Sequence, residues 1–270
     1  MENILIQKKF KDIGAELSFE HNRSVRVKSA STFSIDVSEI GKGERFVLVN
    51  PENLPVEVLD VQPRFRHLLL LVRQPSDRGL KDLRRFLCGH DERHWFVAAI
   101  PETTRVSTVK QAVEALKPDP VKNEQLRIGI KTHDLHKRRN AGFVRQGEWF
   151  FIPRPGVAVN EDLIYHNEPL RRGRGKPHTV QFLYRGGGET VYVCRQYPNG
   201  ITEKEYGELI QNTPGARSYG WRTMRRNAMV FVKGRVSHHD HATIVLDVWH
   251  QVVPNTESEA IGFRDMAFLD

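Results

Sequence analysis

The chain has 270 residues, 39% of them hydrophobic and 27% charged, a globular composition that supports a sizeable core and is unlike a disordered polyelectrolyte. Lysine and arginine number 41 against 33 aspartates and glutamates, and the pI is about 9.6, so a polyanion is a fair class of partner. The longest apolar run, Leu68 to Val72, is far too short for a bilayer span, the first residues lack a signal-peptide layout, and Cys88 and Cys194 stand outside any Cys-x-x-Cys spacing; no membrane partner, disulfide framework or thiolate zinc site is expected, and a cytoplasmic location is.

In chain order, residues 1–117 read as a β-rich module closed by one helix. Short strands are expected at Val25 to Lys28, Phe33 to Val37, Arg45 to Val49, Val56 to Val61, Phe65 to Val72, and Phe86 with Trp95 to Ile100. Stretches such as Phe33-Ser34-Ile35-Asp36-Val37 alternate with the two-residue period of half-buried sheet. Thr108 with Gln111 makes a capping-box pattern, and Val109, Ala112, Val113 and Leu116 repeat at helical spacing before Pro118. Pro118-Asp119-Pro120 reads as an irregular boundary, because prolines withdraw amide donors.

Residues 118–145 form a basic connector, with a short helix expected around Thr132 to Arg139. Residues 146–270 make the second module, with strands at Gly147 to Ile152, Thr179 to Tyr184, Thr190 to Arg195, Met229 to Val236 and Thr243 to Val253. Its one helix runs from Thr202 to Gln211, with Thr202 and Glu205 as capping box. Gly186-Gly187-Gly188 reads as a hairpin turn rather than a phosphate loop, because no helix start or Lys-Ser/Thr follows it. The fold class is mainly β, or α+β with few helices: two modules of antiparallel sheet, the second a candidate small β-barrel with one inserted helix.

The densest set of potential ligands is Ser237-His238-His239-Asp240-His241, with His250 beyond it. Two of the expected strands flank it as a hairpin, so these side chains can converge at the connection. Imidazole is the commonest transition-metal ligand, and His178, at the head of a neighbouring strand, would complete a site of His178, His238 and His241 for zinc, manganese or iron, with Glu148 or Asp240 as a catalytic base. A solvated polar turn is the alternative. His241-Ala242-Thr243-Ile244 also matches one unit of the paired-histidine phosphodiesterases, but no second copy is present.

Two further clusters carry chemistry-bearing residues. Cys88 to Trp95 holds His90, Asp91, Glu92 and His94 and reads first as a charged hairpin tip; Thr132 to Arg139 joins two histidines to Lys137, Arg138 and Arg139 and suits phosphate contact or a solvated helix. The basic residues are also patchy. Arg171, Arg172, Arg174 and Lys176 lie on a glycine-loosened stretch, and Arg222, Arg225 and Arg226 stand beside Tyr219 and Trp221, a mixture that suits phosphates and unpaired bases.

From Arg145 onward the order of motifs resembles a group of small bacterial and phage proteins without assigned activity. Their pattern is an Arg-Gln-Gly-Asp strand, a Gly-His-x-His turn and a His-x-x-His before a final strand. The matching residues are Arg145-Gln146-Gly147-Glu148, Gly175-Lys176-Pro177-His178 and His238-His239-Asp240-His241 with Ile244 and Leu246. The resemblance implies a compact β-barrel whose histidines face one another, with His178, His238 and His241 in those places. Glu148 replaces the aspartate, Lys176 replaces the first turn histidine, and the helix from Thr202 is an insertion.

These readings lead to three functional expectations. The first is an RNA- or single-stranded-DNA-binding protein of bacterial or phage type, acting in nucleic-acid processing or defence through Arg171, Arg172, Arg174, Lys176, Arg222, Arg225 and Arg226. The second is a metal-dependent enzyme, a hydrolase or nuclease acting on an anionic, phosphodiester-type substrate. The third is a partner-binding or structural protein whose charged turns are solvated.

Overall fold

The structure, a computed structural model, describes residues 2–20, 33–41, 43–74, 82–172 and 176–257. It is mainly β, with four α-helices and sixteen strands among the described residues. Among the described residues the chain divides into two compact units, one of residues up to 149 with 240–242 and 254–257, the other of residues 150–239 with 243–253.

The first unit opens with a helix the sequence reading omitted, α1 (Glu2–Asp12). Ile6 and Phe10, one turn apart, are buried with Ile13, whereas Ile4 and Leu5 are exposed. A three-stranded sheet follows, in which β3 (Gly43–Val49) pairs parallel with β1 (Leu17–Glu20) and antiparallel with β2 (Ser34–Ile40). The strand expected at Val25 to Lys28 lies outside the described residues.

Next comes an antiparallel meander of β4 (Val56–Gln62), β5 (His67–Gln74), β6 (Asp82–Asp91) and β7 (His94–Ile100). The apolar run Leu68–Val72 is explained by its place in β5, which is covered on both faces. Leu68, Leu70 and Val72 join Phe10, Phe46 and Phe86 in one core, while Leu69 joins Leu87, Ala98 and Ile100 under the next helix. Each such leucine contributes about 1.5–3 kcal/mol of burial.

That helix, α2 (Val109–Ala115), has the expected capping box: the Thr108 hydroxyl accepts from Gln111 N and the Gln111 side chain accepts from Thr108 N. The Asp60 carboxylate also accepts from Val109 N at 2.8 Å. Pro118-Asp119-Pro120 does not break the chain. It starts α3 (Asp119–Arg127), because a proline in the first helical turn forfeits only an amide that has no intrahelical acceptor. The helix expected at Thr132 to Arg139 is absent; these residues form successive turns and an isolated bridge from Arg139 to Val144.

β8 (Val144–Gln146) and β9 (Trp149–Pro153) stand on either side of the Gly147-Glu148 turn, and Gly147 has a φ of 57°. The remaining strands are β10 (Ile164–Leu170), β11 (His178–Gly186), β12 (Glu189–Val193), β13 (Ile201–Thr202), β14 (Arg222–Arg226), β15 (Met229–Ser237) and β16 (Ile244–Pro254). The large sheet has the order β10-β11-β15-β16-β9-β8. No pairing of β8 with β10 is present among the described residues, so the sheet is open and the expected barrel is not closed. A separate sheet, β13-β12-β14, carries α4 (Glu203–Asn212) with its Thr202–Glu205 capping box. The triglycine is therefore a crossing from one sheet to another and not a hairpin turn: β11 pairs with β10 and β15, β12 with β13 and β14.

One irregularity governs where side chains of the large sheet point. The β11–β15 register shifts between Val180 and Phe182, and the β15–β16 register shifts between Val232 and Gly234. Strict alternation would put His178, Val180 and Phe182 on one face. The extra residue lies on β15, where Gly234 and Arg235 together face Gln181; along β11 His178, Val180 and Leu183 are buried and Phe182 is half-buried. Gly234 permits this at a φ of 83°, and the Gln181 side-chain oxygen accepts from Arg235 N at 3.0 Å.

Candidate metal centre

His178 opens β11, paired with Leu170 of β10 and next to the Thr179–Ser237 pair of β15. Its side chain is fully buried. His238 follows directly on β15, and its ring stacks on that of His178 with centroids 4.2 Å apart and planes at 21°. Its Nε2 donates to the carbonyl of Lys176 at 3.2 Å. A carbonyl only accepts, so Nε2 carries the proton and the lone pair lies on Nδ1.

His241 lies three residues beyond His238, and covalent continuity alone keeps their Cα atoms within about 11 Å. Ring nitrogens of His178, His238 and His241, one from each, all lie within 4.8 Å of one another. Nitrogens bound to one zinc at about 2.0–2.1 Å in tetrahedral geometry stand roughly 3.4 Å apart, so small side-chain adjustments suffice. The three could hold a metal ion, and with three protein ligands a coordination position would remain for water or substrate.

The turn bearing His241 is fixed by hydrogen bonds. Ala242 N donates to the Glu92 carboxylate at 2.7 Å and the Ala242 carbonyl accepts from the Gln146 side chain at 2.6 Å. The same Glu92 oxygen stands 3.9 Å from His241 Nδ1. A carboxylate beside a ligating imidazole sets its orientation and basicity, so Glu92 belongs to the surroundings of the site. The sequence reading placed it at a hairpin tip, and only the register Asp91↔His94 with Glu92 in the two-residue turn brings that tip here.

Other histidines of the cluster are placed differently. His239 is exposed, and His250 is buried on β16, where its Nδ1 donates to the Val248 carbonyl at 2.7 Å. Glu148, in the turn before β9, and Asp240, beside His241, are half-buried; among the described residues neither belongs to the metal-competent group.

The two remaining clusters resolve into ion pairs. Asp91 is engaged by both Arg138 and Arg145, and Glu92 by Arg138 at 2.7 Å. Burial works to raise the Asp91 carboxyl, but the two guanidinium groups outweigh it and hold it below its ordinary value. His94 Nδ1 lies 2.5 Å from the Glu44 carboxylate and the His90 ring meets Trp95 edge-on at 4.8 Å. Lys137 pairs with Asp134 at 2.5 Å. Lys137 and Arg138, expected to contact phosphate, are thus held by carboxylates.

The expected nucleic-acid contacts divide in the same way. Arg171 and Lys176 are exposed on either side of the segment leading to β11, Arg172 is half-buried, and Arg174 lies outside the described residues. On β14 the arginines split by strand alternation: Arg222 and Arg226 share one side and Arg225 takes the other. Arg226 is bound by Glu189 at 2.9 Å and by the carbonyls of Asn199 and Gly200, and Arg225 donates to the Gly187 carbonyl at 2.9 Å. Trp221 is half-buried among Tyr197, Tyr206 and Tyr219, and its indole N–H donates to Ala216 O at 2.7 Å. Those four half-buried rings pack on one another beside the β12–β14 sheet.

No helix among the described residues is long and apolar enough to cross a membrane. Compared with protein-family profiles, curated proteins and solved structures, the chain finds no match.

Proposed function

We propose that this protein is a metalloenzyme in which His178, His238 and His241 hold one zinc, manganese or iron ion that acts on an anionic, phosphodiester-type substrate. The observation that carries this reading is the approach of three imidazole nitrogens to within 4.8 Å. Three imidazoles brought this close, one of them fully buried, suit metal ligation, which takes the unprotonated ring, whereas protonated rings would repel. A bound ion would polarise a phosphoryl oxygen or bring the pKa of its water to about 7. Asp240, in the same connection, and Glu148 are the carboxylates available as base, and Glu92 steadies His241.

The exposed Arg171 and Lys176, on the segment that leads to His178, favour an anionic substrate and support nucleic acid as its class. The test uses untagged protein, stripped with chelator and reloaded separately with zinc, manganese or iron, assayed on an activated aryl phosphodiester and on a single-stranded oligonucleotide. Turnover should require metal, fall at least a hundredfold in H178A and H238A, and weaken with salt for the oligonucleotide. Metal-independent turnover, or none with any of the three ions, would contradict the proposal.

A further inference from the structure

The large sheet also carries a cavity whose lining is distinct from the three histidines. This open cavity of about 370 Å³ is lined by Glu161, Ile164, Phe182, Lys233 and Trp249 and walled by Val157 and Val159 of the loop after β9. Its size falls within the range of small-molecule sites, roughly 300–1,000 Å³. The floor is built by strand pairing. Phe182 stands directly opposite His166 on β10 and Lys233 on β15, and the His166 ring backs Phe182 edge-on at 5.2 Å. Trp249 lies one strand further, beside the β15–β16 register shift, where its carbonyl accepts from Arg154 N at 2.8 Å and fixes the start of the wall.

The lining dictates what fits. Phe182 and Trp249 offer two half-exposed aromatic surfaces, which favour a flat ring. Glu161 is acceptor-only and Lys233 donor-only; both are exposed, and among the described residues neither forms an ion pair. A flat ring with N–H donors on one edge and an anionic group a few ångströms away satisfies all four side chains at once, and that is the chemistry of a nucleobase with its phosphate.

We infer that this groove binds a nucleotide. The base lies against Phe182 and Trp249, Glu161 accepts from its amino or imino edge, and Lys233 meets the phosphate. Stacking of this kind needs no particular base sequence. The site stands apart from the metal reading, since none of its residues belongs to the three-histidine group.

The test titrates the full chain at low salt with nucleosides, nucleoside monophosphates and a single-stranded twelve-mer, followed by calorimetry and tryptophan fluorescence. Monophosphates should bind and quench, and W249F should lose most of the quenching. K233Q should weaken monophosphates about tenfold and leave nucleosides unchanged, and E161Q should weaken both; melting temperatures establish that these surface variants are folded. An oligonucleotide that binds more tightly than the monophosphate assigns the groove to a strand, and equal affinity assigns it to a free nucleotide. Binding should survive chelator and H178A. The inference is overturned by no binding of either ligand, by affinities that neither variant moves, or by binding that chelator abolishes, which would put the ligand on the metal centre instead.

Discussion

Replacing Gly234 with alanine probes the register shift between β11 and β15. The residue has a φ of 83°, and a Cβ built there meets Gln181 Oε1 at 2.5 Å, Cδ at 3.0 Å and Cβ at 3.1 Å. Holding an L-residue in left-handed backbone costs about 1–2 kcal/mol. Moving Gln181 aside also breaks its hydrogen bond from Arg235 N, worth about 1 kcal/mol. G234A should therefore lose about 2–3 kcal/mol in denaturant unfolding, or roughly 5–10 °C in Tm. In a Q181A background the contacts to Oε1 and Cδ and the hydrogen bond are gone, while the backbone strain and the 3.1 Å approach to Cβ remain, so the same substitution should cost only about 1–2 kcal/mol. A G234A loss below about 0.5 kcal/mol, or an equal loss in both backgrounds, would refute this account of the register shift.

Other predictions concern the first unit. Asp91 binds its proton more weakly folded than unfolded, so its pairing with Arg138 and Arg145 contributes stability that is complete above the ordinary carboxylate value and is lost as pH falls through the depressed folded one. D91N should cost about 2–3 kcal/mol at neutral pH and flatten the acid limb of a Tm-against-pH curve, and an unchanged limb would contradict this. Lys117 is buried, and its ammonium donates to Glu114 at 2.6 Å, Gln125 at 3.1 Å and the Leu135 carbonyl at 2.8 Å. Burial lowers its pKa against the opposing pull of Glu114, so between the lowered folded value and the ordinary one the unfolded chain binds more protons and stability should rise with pH there. K117M should remove that rise and, by taking the ammonium donor from the buried Gln125 side-chain oxygen while the Leu135 carbonyl keeps its bond from Gln125 Nε2, cost about 1–3 kcal/mol in chemical denaturation.

Local signals carried much of the fold into the sequence. The capping boxes at Thr108 and Thr202, the alternation through Phe33 to Val37 and the paired strands around the histidine cluster all depend on neighbours within a few residues, and the structure has them. Where tertiary packing decides, the same reasoning fell short. α1 was missed because its apolar face is only Ile6 and Phe10, completed by Ile13 in the turn after it. β10 was missed because Tyr165-His166-Asn167-Glu168-Pro169 looks like loop until it is paired with β11. β14 reads as a basic patch because its arginines mask a largely exposed strand that is fixed by pairing with β12, where Met224 stands opposite the buried Val191.

For the site, the three histidines were legible from spacing and strand order, since a hairpin connection and a strand head can meet. Glu92 was not, because its approach to His241 spans 149 positions (241 − 92) of chain. The groove beside Phe182 was equally hidden, because Phe182, Lys233 and Trp249 become neighbours only through cross-strand register.

Metal analysis with X-ray absorption on untagged, zinc-loaded protein tests the central claim most directly. One ion per chain with three nitrogen neighbours at about 2.0–2.1 Å is predicted, with stoichiometric binding lost in H178A and H238A. Protein that takes up no stoichiometric ion, or that binds one equally well after either substitution, would contradict it.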